Sequence, residues 1–183
     1  MRLEGKKALV TGGASGFGAG IARKFVAEGA DVVIADINGN AAEATAQELG
    51  CHAAQVDVSS GPSVAVLATD IGAIDILVNN AGITHTKGPM EDVSEEEFDR
   101  VLAVNVKSVY LTAKHFVPVM KAAGRGAILN VASTAGISPR PLLNWYNCSK
   151  GWMITATKTM AVELAPHGVR VNAINPVAGE PPL

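Results

Sequence analysis

Between the apolar run Lys7-Ala8-Leu9-Val10 and a stretch carrying Ile21, Phe25 and Glu28 at helical spacing lies Thr11-Gly12-Gly13-Ala14-Ser15-Gly16-Phe17-Gly18. This order reads as a strand, a glycine turn and a helix. The same alternation runs through the rest of the chain. Apolar runs predict strands near 7–11, 31–36, 52–57, 74–79, 126–132 and 169–174, and helical patterns fall near 16–28, 39–49, 61–70, 94–121 and 145–165. Short strands separated by helices are the signature of a parallel sheet covered on both faces. The expected fold is therefore α/β, a doubly wound parallel sheet. No linker, repeat or low-complexity tract interrupts the 183 residues, so 1–183 is expected to form a single domain. Ser94 with Glu97 three residues on predicts a capping box. Gly29, Gly50 and Gly124 stand where helices would stop, and Pro166 with Gly168 ends the last one.

The glycine turn suits a phosphate. Glycine lets the backbone take positive φ and approach a ligand closely, and the following helix offers unpaired N–H groups and its positive dipole end to a pyrophosphate. The spacing Gly12, Gly16, Gly18 departs from the common Gly-x-Gly-x-x-Gly dinucleotide pattern, and a simple tight turn is the competing reading. No Gly-Lys-Ser/Thr closes the run, which argues against an ATP-type phosphate loop. The second predicted strand ends in Asp36, where a dinucleotide fold carries an acidic ribose contact. A carboxylate there accepts hydrogen bonds from ribose hydroxyls, whereas the additional phosphate of NADP would meet a like charge. The next residues, Ile37 and Asn38, supply no Arg to offset it. Asp36 thus points to NAD(H), against the alternative that it caps the following turn.

Tyr146-Asn147-Cys148-Ser149-Lys150, with Ser133 upstream, brings a phenol, an ammonium and a hydroxyl into one segment of chemistry. On a helix the i, i+4 spacing stacks Tyr146 and Lys150 on one face. Moving a tyrosine from its ordinary value to neutrality takes about three units, or about 4 kcal/mol. One opposite charge at about 4 Å and an effective dielectric near 20 supplies an energy of that size. The segment reads as a proton-transfer site.

Thr11-Gly12-x-x-x-Gly16-x-Gly18, Asn79-Asn80-Ala81-Gly82, Asn105, Ser133 and Tyr146-x-x-x-Lys150, in that order, make the chain resemble a short-chain dehydrogenase/reductase over nearly its whole length. The resemblance implies a Rossmann-type domain. It implies that Tyr146 exchanges a proton with a substrate hydroxyl or carbonyl oxygen while a nicotinamide ring exchanges a hydride with the attached carbon. Ser133 would hydrogen-bond the same oxygen, Lys150 would lower the Tyr146 pKa and hold the nicotinamide ribose, and Asn105 would anchor a water that joins Lys150 to a proton relay. Ser15, Phe17, Ile37, Ala81, Pro176 and Val177 would contact the cofactor with the three glycines, and Tyr146 would touch it as well. Asn79 and Gly82 would line its cleft, and Asp57-Val58 would face the adenine. Read without the family, Ser133 is a strand-end turn residue, Asn105 a helix-bending amide, Asn79-Asn80 a turn pair, and Asp57 a cap for the segment near Ser59. In this family the longer helices, including the one bearing Tyr146, pack against copies of themselves, so a homo-oligomer is expected.

Two departures from the family pattern stand out. The segment between Asp57 and Asn79 is about one helical turn short, which bears on the third crossover helix. After Asn175-Pro176-Val177 the chain reaches Gly179-Glu180 and Pro181-Pro182-Leu183, where family members continue through a substrate lid, a helix and a seventh strand. The expectation is that the final edge strand is absent from this chain, that the sixth strand becomes an edge, and that the natural protein continues past Leu183.

A net charge of −2 offers no attraction to nucleic acid or an anionic membrane, and neither partner is expected. Cys51 and Cys148 suggest no disulfide framework, and Met1-Arg2 leads into polar residues, so the expected location is cytoplasmic. Cys148 is expected to be a small buried packing residue. His52, His85, His115 and His167 show no paired ligand spacing, so no metal is expected, and His85 reads as a solvated loop histidine. Ile83, Thr84, His85, Ala135, Ile137, Asn144 and Val177 are candidates to touch substrate and include no Arg to clamp a carboxylate. A secondary alcohol, ketone, sugar or 3-oxoacyl thioester fits them. The competing functional reading is a non-catalytic nucleotide sensor or scaffold on the same fold. A third is an enzyme whose cleft a neighbouring subunit completes.

Overall fold

The computed structural model describes residues 1–177. The segment from Ala178 to Leu183, which holds Gly179, Glu180 and the Pro-Pro-Leu end, lies outside the described residues. Six strands form one sheet, β1 (Lys7–Thr11), β2 (Asp31–Asp36), β3 (His52–Gln55), β4 (Ile76–Asn79), β5 (Gly126–Val131) and β6 (Val169–Ile174). Their spatial order is β3-β2-β1-β4-β5-β6, every pair parallel. The connections are α1 (Gly16–Ala27), α2 (Gly39–Leu49), α3 (Gly61–Ile71), α4 (Glu95–Leu102), α5 (Ser108–Ala123) and α6 (Asn144–Leu164). Strand order reverses between β1 and β4, and the crevice outside their carboxyl ends is where an open α/β sheet takes its ligand. Among the described residues β3 and β6 are the sheet edges, as the sequence implied for β6.

Pleat alternation divides the strands between two cores. Leu9, Val33, Leu77 and Ile128 pack with Phe116 and Met120, while Ala8, Val10, Val32, Ile34 and Val78 pack on Ala22, Ala42 and Ala46. Small side chains on α1 and α2 let those helices lie close to the sheet. Helix starts follow local chemistry: Asn38 accepts from Ala41 N–H, Ser60 from Ser63 N–H and Ser94 from Glu97 N–H, each cap worth about 1 kcal/mol. Gly50 and Gly124 close α2 and α5 in the left-handed region, as the sequence indicates.

Three expectations need correction. The capping box is only half formed: the Glu97 carboxylate, instead of reaching back, accepts from the N–H (2.9 Å) and hydroxyl (2.7 Å) of Thr86, which hold it below the usual carboxylate range. The helix read as 94–121 is not uniform, because Ala103–Lys107 forms a π-helical turn between α4 and α5. That turn inserts a residue and brings Asn105 inward, where it is fully buried. Cys148 is exposed on α6 rather than packed inside.

Candidate active site

Thr11 ends β1 and fastens the loops above it. Its Oγ1 donates to the Val78 carbonyl (3.2 Å) and accepts from the N–H groups of Asn80 (3.1 Å) and Ala81 (3.2 Å). Asn80 returns the clamp by donating through Nδ2 to the carbonyls of Thr11 (2.9 Å) and Gly12 (2.8 Å). The glycine turn is thereby pulled onto the loop after β4. A Cβ on Gly18 would overlap the Gly12 carbonyl oxygen and lie 2.5 Å from Asn80 Nδ2, so only glycine lets α1 begin there. Gly16 has φ +54 and open space in front of it, a cradle at the helix N-terminus that a ligand's phosphates can enter.

Two adjoining cavities lie over this platform. The first, about 660 Å³, is lined by Gly12, Ser15, Phe17, Asp36, Ile37, Asp57, Val58 and Ala81, together with Ser59, Arg100 and Val104. The second, about 410 Å³, is lined by Ser133, Tyr146, Lys150, Thr84, Leu143, Pro176 and Val177. Phe17, Asn80, Gly82 and Ile83 line both, so one cleft runs from the end of β2 to the Tyr146 face of α6. Residues from both ends of the chain meet here. Size and shape suit an extended dinucleotide with a small substrate beside it.

Lys150 is buried, with only 4% of its surface exposed. Its Nζ donates to the Val131 carbonyl at 2.9 Å and lies 5.9 Å from the centre of the Tyr146 ring. Burial pushes its pKa down from 10.5 to about 8. Two N–H donors remain for a ligand. Ser133 Oγ accepts from Ala135 N–H at 3.1 Å, so the turn role and the site role coexist: its own O–H is still free to donate into the cavity.

Asn105 is bound to its surroundings through nearly all its side chain. Nδ2 donates to the Ile83 carbonyl (2.8 Å) and to Ser149 Oγ (2.9 Å), while Oδ1 accepts from Ile83 N–H (2.8 Å). Ser149 Oγ in turn donates to the Tyr146 carbonyl at 2.7 Å. Both amide hydrogens are spent, so the side chain's visible work is to tie the cleft wall to the tyrosine helix rather than to anchor a water through N–H. Gly82 sits against this knot: a Cβ there would stand 3.1 Å from Lys150 Nζ and 3.4 Å from Asn105 Oδ1. Ser149 was missed because an internal serine of a helix carries no pattern of its own.

Asn79 does not line the cleft, contrary to the expectation from its motif. Its amide is buried, donating to Asn130 Oδ1 (2.9 Å) and accepting from Thr112 Oγ1 (2.8 Å), and Asn130 continues to Thr157 Oγ1 (2.8 Å). That chain ties β4 and β5 to α5 and α6, while the next residue, Asn80, faces the site. Asp36 both caps and faces the cavity, accepting from Ala14 N–H (3.2 Å) and Asn38 N–H (3.1 Å). A carboxylate has about four acceptor positions, so two remain open. Asp57 Oδ1 likewise accepts from the N–H (2.9 Å) and hydroxyl (2.6 Å) of Ser59. His85 is not solvated. It is 2% exposed, its Nδ1–H donates to the Thr86 carbonyl (2.8 Å), and Nε2 is buried without a partner. Ala135, Ile137, Asn144 and His85 do not line the second cavity, whereas Leu143 does.

Comparison with known proteins agrees with this geometry. The profile of the short chain dehydrogenase family matches residues 6–182. The chain belongs to that family. A 4-formylbenzenesulfonate dehydrogenase of Comamonas testosteroni is 45% identical over 194 residues, covering 100% of this chain and 76% of the relative. Among solved structures, a 3-ketoacyl-(acyl-carrier-protein) reductase from Brucella melitensis complexed with NADH is 47% identical with a TM-score of 0.94, covering 98% of this chain and 78% of that one. A metagenomic short-chain oxidoreductase in complex with NADP is 36% identical with a TM-score of 0.91, covering 97% and 85%.

Proposed function

We propose that this chain is a single nicotinamide-dinucleotide-binding domain and an NAD(H)-dependent oxidoreductase acting on a secondary alcohol or ketone. The observation that carries this reading is the continuity of the cleft, with Ser133, Tyr146 and Lys150 at one end and the glycine turn with Asp36 at the other. The cradle at Gly16 and the two open acceptor positions on Asp36 fit the phosphates and ribose of such a cofactor. When bound there, the cofactor supplies hydride exchange. Tyr146 holds the proton for the substrate oxygen, Ser133 donates a hydrogen bond to that oxygen, and Lys150 places its two remaining N–H groups toward the ribose. Asn105 and Ser149 fix the position of the tyrosine helix. The name of the Brucella protein specifies a ketone, which supports this class, while that of the Comamonas protein specifies an aldehyde and supports carbonyl chemistry more broadly. A non-catalytic sensor has no use for a buried, desolvated lysine beside a phenol.

Asp36 is the basis for preferring NAD(H), since it faces the ribose end with no cation on the adjoining residues Ile37 and Asn38. The paired change Asp36→Ala with Ile37→Arg should move the kcat/KM ratio towards NADPH by at least about tenfold. Reduction of a panel of ketones, sugars and acyl thioesters with NADH and NADPH reads this directly; an unchanged ratio contradicts the ribose role, and no turnover on any carbonyl with either cofactor contradicts the enzyme reading.

The partner best supported is a second copy. Tyr110 and Trp152 are 56% and 41% exposed, and together with Val109, Ala113 and Met160 they line an apolar depression between α5 and α6. Among the described residues no helix is long and apolar enough to cross a membrane. A cytoplasmic setting, where dinucleotide pools are found, follows from the proposed activity.

A further inference from the structure

We infer that Arg100, on α4, holds the adenine of the dinucleotide by lying across the face of the base. This inference rests on the dinucleotide reading of the cleft. Arg100 lines the 660 Å³ cavity one helical turn before Val104, which lines it too. Two carboxylates, Asp36 and Asp57, face the same space, and the ligand brings further negative charge in its phosphates. Arg100 is the one cation lining that cavity among the described residues. Within the protein Arg100 acts only as a charge: it stands in the last turn of α4, where a cation suits the helix dipole, and it helps keep the Glu97 carboxylate low, as the least of the favourable contacts but one. Among the described residues its guanidinium makes neither a hydrogen bond nor an ion pair, so its N–H groups and its flat face are left for a ligand in the cavity it lines.

The surrounding chemistry selects the base rather than a phosphate. Val58 and Val104 give the cavity an apolar wall on which a flat ring can rest, and Asp57 retains acceptor capacity for an exocyclic amine. A guanidinium is planar, delocalised and weakly hydrated, so it stacks on an aromatic face while its edge hydrogens stay in water. A lysine at the same place is a hydrated point charge without that face.

The two halves of the cofactor separate this role from a general loss of structure. ADP-ribose carries the adenine but no nicotinamide, and reduced nicotinamide mononucleotide carries the reverse. Isothermal titration of Arg100→Ala should show ADP-ribose binding weakened about tenfold, with mononucleotide binding within about twofold of the wild type. Arg100→Lys should recover less than half of the logarithmic loss. Equal weakening of both halves, undiminished ADP-ribose binding, full recovery by lysine, or a loss confined to NADPH would each overturn the assignment. Failure of the wild-type protein to bind either ADP-ribose or NADH overturns the dinucleotide reading itself, a result distinct from any of these.

Discussion

Replacing Tyr146 with phenylalanine is expected to lower turnover about 100- to 10,000-fold, the range a positioned general acid contributes, while NADH affinity stays within about twofold. The change deletes one oxygen from a half-buried side chain at the second cavity and leaves the ring, the helix and the Lys150–Val131 hydrogen bond in place. Gly12 and Ser15 of the glycine turn and Asp36 line the other cavity, so the cofactor's grip has little to lose. Stopped-flow fluorescence of NADH binding and steady-state turnover on the same preparation separate the two quantities. Turnover within a few-fold of the wild type removes the phenol from the chemistry. Binding lost together with turnover assigns Tyr146 to the cofactor's seat instead.

Much of this was legible before folding because it is written in local signals. The glycine turn, the cap at Ser94 and the left-handed stops at Gly50 and Gly124 act within a few residues, and each element appears close to where those signals put it, whereas the caps at Asn38 and Ser60 emerge only in the fold. The failures share a different cause. Asn79 and Asn80 are adjacent and chemically identical, and only the pleat of β4 decides which faces Asn130 and which faces the cleft. The π-helical turn at Ala103–Lys107 is invisible to a 3.6-residue period, since one inserted residue disturbs no apolar pattern long enough to notice. His85 and Cys148 were placed on the wrong sides of the surface because burial of a single side chain depends on what packs over it, not on its neighbours in sequence. Arg100 and Ser149 belong to no pattern at all; they become visible when α4 and α6 are seen against the same cleft.

Lys150→Met is expected to abolish activity and yet stabilise the free protein at neutral pH. Lys150 carries its charge in a buried position, and its pKa falls from 10.5 to about 8. Below pH 8 both folded and unfolded chains hold the proton, and the folded state bears the full cost of desolvating it, about 3 kcal/mol for a shift of this size. Between pH 8 and 10.5 the unfolded chain binds more protons than the folded one, so wild-type stability rises with pH across that window. Methionine removes the charge but also the hydrogen bond to the Val131 carbonyl, which returns about 1 kcal/mol of the gain. The variant should therefore be about 2 kcal/mol more stable at pH 7. That advantage should shrink through the window and reverse above it, where the wild-type amine is neutral and still donates to Val131. Urea melts of both proteins at pH 7 and pH 10 measure the difference, in which all other titrations cancel. A variant less stable at pH 7, or a gap that does not narrow with pH, contradicts the desolvated ammonium. The confirmed pattern would show that this fold keeps a destabilising cation at the one place where a bound ribose and a phenol can use it.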